Sequence, residues 1–72
     1  MNKRTLSIVQ KLSAGKKESS IAELAEEFGV SQRTIRNDLN AINDLLRENG
    51  LQSLELKRGG IIRVQEDFAE VI

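Results

Sequence analysis

The chain has 72 residues, with 11 Lys and Arg against 11 Asp and Glu, and neither cysteine nor histidine. That length supports one small domain with a marginal core, and the composition excludes a disulfide framework, a thiol nucleophile and the usual zinc sites. No apolar run approaches membrane-spanning length and the N-terminus lacks a signal-peptide core, so a cytoplasmic protein with no membrane contact is expected.

Asn2 is placed to cap a first helix running to about Ala14, with Gly15 as its stop. Leu6, Val9 and Leu12 form one apolar stripe and Ile8 meets Leu12 at i, i+4, so this helix is expected to supply core. Lys3, Arg4 and Lys11 lie off the stripe. Lys16, Lys17 and Ser19 read as a loop, where the two lysines either touch a nucleic-acid backbone or are simply solvated.

Ser20 to Leu46 reads as two helices with a sharp break. Ser20 caps the first, and Glu23 three residues later completes a capping box. Ile21, Leu24, Ala25 and Phe28 share one face. Gly29 follows the last periodic residue, where a helix needs a left-handed terminator. Val30 is apolar and plugs the corner, and Ser31 caps the next helix at once. A two-residue turn between helices is the helix-turn-helix arrangement. Glu23, Glu26 and Glu27 form the outer side of the first of these helices. Paired carboxylates can serve as acid and base, but no cleft, nucleophile or metal partner accompanies them, so a solvated face is expected.

The third helix runs from about Gln32 to Asn49 and stops at Gly50. Ile35, Leu39, Ile42 and Leu46 share one arc, with Leu45 beside it. Arg33, Arg36, Asn37, Asn40 and Arg47 occupy the opposite arc, with Gln32 and Asn43 at its edge. Solvated helix faces usually mix Glu with Lys; this one holds arginine and asparagine. Arginine matches guanine with a bidentate fork, and Asn or Gln matches adenine. The first turns of such a helix meet base edges, so Gln32, Arg33, Arg36 and Asn37 are expected to read bases. Ser31, Thr34 and Asn40 would hold phosphates. Asp38 is expected to orient an arginine or a helix end. At ~1.5 Å per residue the helix spans about 25 Å, so its second half must leave a groove and serve packing.

Leu54 to Lys57 and Ile62 to Val64 alternate apolar and polar around Arg58, Gly59 and Gly60, which predicts a two-stranded β-hairpin. Leu54, Leu56, Ile62 and Val64 would face the helices. Glu55, Lys57 and Arg63 would face out, Glu55 across from Arg63. Lys57 and Arg58 at the tip suit phosphates. Gly59-Gly60 lacks the strand-to-helix context and the Lys-Ser/Thr of a nucleotide loop. Residues 1–65 are therefore expected to form a winged helix-turn-helix domain, α+β but mostly α, with three helices and a C-terminal two-stranded wing. In residues 66–72, Phe68, Val71 and Ile72 recur at helical spacing. They either begin a helix leading to a downstream effector or oligomerisation domain, or close this domain's own core.

The stretch ELAEEFGVSQRTIRNDL resembles the helix-turn-helix of bacterial winged-helix transcription regulators. The nearest patterns are the deoxyribose-operon repressors, the biotin-repressor N-terminal domain and the regulators that carry sugar-phosphotransferase regulation domains. The last group also shows a long third helix like NAINDLLRENGL and a short glycine-rich wing. Ala25, Gly29, Ser31, Thr34, Ile35, Asp38 and Leu39 fall where that pattern expects them, and the resemblance covers roughly residues 5 to 65. It implies binding to a double-stranded DNA operator and a homodimer formed through a downstream domain. It also implies carbohydrate supply as the signal, with phosphorylation of other domains tuning activity. Related wings carry glycine or an aromatic near Ile61, so the tip departs from the pattern.

The charges are uneven. Residues 1–17 carry five positive charges and no acids, residues 18–27 carry four acids, and Glu66, Asp67 and Glu70 close the chain. One face can attract phosphate while the whole is neutral. Two rival functions are an RNA-binding antiterminator module and a winged helix used only for protein contacts. Phe28 and Phe68 are the only aromatics, both at core positions, whereas readers of single strands stack bases on exposed aromatics. A protein-contact module would tolerate loss of Arg33 and Arg36 but not of an apolar surface such as Ile61. No enzymatic activity, cofactor or metal is expected.

Overall fold

The computed structural model describes residues 2–14 and 18–65. Three helices, α1 (Lys3–Ser13), α2 (Ile21–Phe28) and α3 (Gln32–Glu48), pack against a sheet of β1 (Glu18–Ser20), β2 (Glu55–Lys57) and β3 (Ile61–Arg63). The fold is a winged helix, mostly helical as expected. Gly15, Lys16, Lys17 and residues 66–72 lie outside the described residues, and with them the expected stop of α1, the two loop lysines and the C-terminal helical pattern.

Each helix starts on the cap its sequence offers. The Asn2 side chain accepts from the Thr5 backbone N–H at 2.7 Å and from the Thr5 hydroxyl at 2.8 Å. Ile8, Val9 and Leu12 are buried as expected, but at the start of the stripe Thr5 takes the place of Leu6. Thr5 sits in the core at 4% exposure with its hydroxyl satisfied, and Leu6, expected in the core, is 50% exposed. The buried stripe is Thr5, Ile8, Val9 and Leu12, which follows the 3.6-residue period. Ser20 accepts from Glu23 N–H at 3.4 Å, and Ser31 from Thr34 N–H at 3.1 Å.

The turn between α2 and α3 closes by a pair of backbone bonds. Gly29, at φ 66°, donates to Glu26 O, and Val30 donates to Ala25 O at 3.0 Å. This crossed pair satisfies the last carbonyls of α2 and presses Val30 onto the core. The end of α3 repeats the device, with Gly50 N–H on Arg47 O at 3.0 Å and Leu51 N–H on Leu46 O at 2.8 Å.

The sheet corrects the expected two-stranded wing. Its order is β1-β3-β2, antiparallel throughout, with Ser19 opposite Ile62 and Leu56 opposite Ile62 from the other side. Ser19 is therefore a strand residue and not part of a loop. A hairpin alone would leave one edge of β3 with open N–H and C=O groups; Glu18–Ser20 covers it. The ladder then runs into α2: Ile21 N–H, one of the unpaired donors at a helix start, is accepted by Gly60 O at 2.8 Å.

The core joins all these pieces. Ile8, Ile21, Leu24, Ile35, Leu39 and Ile62 are essentially inaccessible, and Leu46 and Leu54 are buried in the same cluster. Leu56 and Val64 pack on it from the sheet as expected, and Phe28 from α2. Leu45 stays 43% exposed, off the buried arc.

Candidate nucleic-acid interface

The N-terminal half of α3 presents Gln32, Arg33, Arg36, Asn37 and Asn40, all exposed. Arg33, Arg36, Asn37 and Asn40 recur at helical spacings of three and four, so they form one continuous face opposite Ile35 and Leu39. The cap geometry sets the helix start. The Ser31 and Thr34 hydroxyls stand 3.0 Å apart, so one donates to the other, and the second O–H has no acceptor among the described residues. Thr34 N–H is taken by Ser31 Oγ and Ile35 N–H by Ser31 O. Among the described residues, Gln32 and Arg33 N–H have no partner, so they form the open, partly positive end of the helix.

The cations sort by whether they are already paired. Arg4 bonds Asp38, Lys11 bonds Glu27, Arg47 bonds Asp44 and Lys57 bonds Glu18. Among the described residues, Lys3, Arg33, Arg36, Arg58 and Arg63 enter no ion pair. Arg47 shares the expected arc, but Asp44 one turn earlier compensates it.

On the wing, the antiparallel register puts Glu18, Arg63 and Glu55 in one row on the outer face. Lys57 reaches diagonally over β3 to Glu18 at 3.3 Å. The outer face of the sheet is thus internally compensated, and Lys57, which faces out as expected, is half-buried. Arg58, in the turn, is exposed and carries its charge free of that network.

Two polar side chains of α3 turn inward. Asn43, expected at the edge of the polar arc, is 6% exposed. Its amide donates to Leu54 O at 3.2 Å and accepts from Leu54 N–H at 2.7 Å, hanging the wing's entry strand from α3. Asp38 orients an arginine, as expected: Arg4 grips it with Nε on one carboxylate oxygen and Nη2 on the other at 3.1 Å. The hydrogen bond to Asp38 raises the Arg4 pKa above its ordinary value; desolvation opposes that rise and Coulomb attraction adds to it. Sequence reasoning passed over Arg4. The available signal was its place in the first turn of a helix, where the dipole disfavours a cation and only a specific partner makes sense of one.

Comparison with known proteins points the same way. A family model described as HTH domain matches residues 4–62, from the first turns of α1 into β3. No curated protein and no solved structure matches the chain significantly.

Proposed function

The chain belongs to the HTH domain family, whose members are DNA-binding regulatory modules, and from that premise we propose that it recognises a specific double-stranded DNA site for a bacterial transcription regulator. The observation that carries this reading is the exposed face of α3. Two arginines without an ion pair among the described residues, flanked by Gln32, Asn37 and Asn40, occupy its leading turns. In this reading Gln32, Arg33, Arg36 and Asn37 meet base edges in the major groove. Phosphates are held by the free hydroxyl of the Ser31–Thr34 pair, by Asn40 and by the wing cations Lys57 and Arg58. Lys57 must exchange Glu18 for phosphate, so Arg58 is the stronger of the two.

The resemblance to sugar-phosphotransferase-linked regulators supports a finer assignment. Residues 1–65 act as the DNA-binding domain, and residues 66–72 lead toward a domain that pairs two copies in the cytoplasm. The regulated genes then serve carbohydrate use.

Arg36 tests the reading. It lies one turn from the cap, on the face away from the core, and its fork can take both acceptors of one guanine. Arg36→Ala is expected to lose about 1–3 kcal/mol on the preferred duplex and much less on random DNA, with Arg36→Lys little better than Ala. Binding of the three proteins to both duplexes, with RNA of the same sequence as competitor and at one fixed salt concentration, measures this. Equal losses on both duplexes would reduce Arg36 to a phosphate clamp, and preferential capture by RNA would overturn the duplex-DNA reading.

A further inference from the structure

Arg4 stands where its helix does not favour it. It occupies the first turn of α1, which contains no acid, so its charge opposes the partial positive end of the helix. Asp38 has the converse difficulty. It lies in the middle of α3 with its side chain 8% exposed, where an unpaired carboxylate is strongly disfavoured. The two resolve each other through a fork of two bonds, and a fork fixes angle as well as distance. Among the described residues this is the one ion pair between α1 and α3. The other tie from α1, Lys11 to Glu27 on α2, has both side chains nearly half exposed at 46% and 47%, so solvent weakens it.

The location of the fork matters for reading DNA. Asp38 follows Asn37 directly and lies one turn from Thr34, so its backbone belongs to the stretch that presents Arg33, Arg36 and Asn37. Asp38 is also the one acid between Gln32 and Asn40. Left unpaired, it would oppose the two arginines beside a phosphate backbone. We propose that the Arg4–Asp38 pair is a positioning clamp for sequence recognition: α1 holds the reading half of α3 at a set orientation and cancels its one acid, without Arg4 touching DNA. This rests on the base-reading role proposed for α3. Arg4 acts through Asp38 and is a positioning residue.

The test uses Arg4→Lys, which keeps the charge and loses the fork, and Asp38→Asn, which loses both the fork and the acid. Affinity is measured for a duplex selected from a random pool by the wild-type chain and for its scrambled counterpart, at several salt concentrations. Thermal melts supply the folded fraction by which each affinity is corrected, and Arg36→Ala runs in parallel. For Asp38→Asn the two affinities should diverge. Affinity for the preferred duplex should fall about tenfold, the scale of one lost base contact. Affinity for the scrambled duplex should hold or rise, because a negative charge has left the neighbourhood of the phosphates. Arg4→Lys should narrow the ratio by several-fold with an unchanged salt slope. Lower melting with an unchanged ratio in the folded protein would show a structural brace and overturn the clamp. Equal losses on both duplexes for Arg4→Lys would place Arg4 on a phosphate and overturn it too. If Arg36→Ala narrows the ratio and neither clamp variant does, only the clamp fails. If the wild-type chain itself shows no preference, the base-reading role fails and the clamp with it.

Discussion

Replacing Asn43 by alanine should be among the costlier single changes to this fold. The side chain is buried, and both halves of its amide are committed to the backbone of Leu54, a residue only 3% exposed. Alanine leaves the Leu54 N–H and C=O without partners where water cannot replace them. An unsatisfied buried polar group costs roughly 1–3 kcal/mol, so the two together cost about 2–6 kcal/mol. A chain of this length holds on the order of 4–11 kcal/mol in total, so the loss is a large share of its stability. The melting temperature should fall by about 10 °C or more. Denaturant unfolding at 25 °C with a matched thermal melt measures both quantities. Asn43→Leu separates the hydrogen-bond explanation from a volume one. Leucine refills the space but offers neither donor nor acceptor, so it should not recover the loss. Recovery to within about 0.5 kcal/mol of wild type would refute the bonding argument. The folded Asn43→Ala protein should keep its DNA preference, because the side chain faces the wing and not the groove.

Gly29→Val should cost roughly 1–2 kcal/mol in a denaturant melt. A Cβ there meets nothing within 4 Å, so left-handed backbone strain at φ 66° is the whole cause, and Gly29→Asn should be milder; a wild-type-like melt of the valine variant would remove the argument. Arg58→Ala should weaken binding to all duplexes alike and flatten the salt dependence by about one unit. Lys57→Ala should do less, because Glu18 already neutralises that lysine; loss of sequence discrimination in either variant would instead make the wing a base reader.

What the sequence made legible was local. Asn2, Ser20 and Ser31 at helix starts and Gly29 and Gly50 at helix ends are short-range signals that do not depend on the rest of the chain, and each sits where its chemistry places it. The apolar arc of α3 was equally readable. The misses are long-range. Glu18-Ser19-Ser20 has no apolar alternation, because β1 exists to satisfy the edge of β3 more than forty residues away. Leu6, Val9 and Leu12 have a spacing of three that drifts around a helix of 3.6 residues per turn, and the cap bond to Thr5 tips the choice toward a polar core residue. Asn43 looks like any polar residue of the exposed arc until Leu54 is brought beside it. The partners of Arg4 and Lys57 are hidden in the same way, since an ion pair between elements leaves no trace in either element's own periodicity.

Those pairs also explain how a chain of zero net charge can belong to a DNA-binding family. Each cation that braces the fold spends its charge on an acid: Arg4 between α1 and α3, Lys11 between α1 and α2, Lys57 across the sheet. Among the described residues, the arginines left over are Arg33 and Arg36 on α3, Arg58 in the wing turn and Arg63, which the sheet register sets between Glu18 and Glu55. Each cation paired inside the fold is one fewer to displace counterions, so among the described residues pairing lowers the charge on offer to arbitrary DNA. In the proposed reading the free energy that remains would come from base-edge contacts, which reward geometry more than charge. A domain built this way depends on holding α3 in one orientation. In the proposed reading that task falls to the Arg4–Asp38 fork, whose carboxylate lies on α3 itself, whereas the Asn43 amide secures the wing.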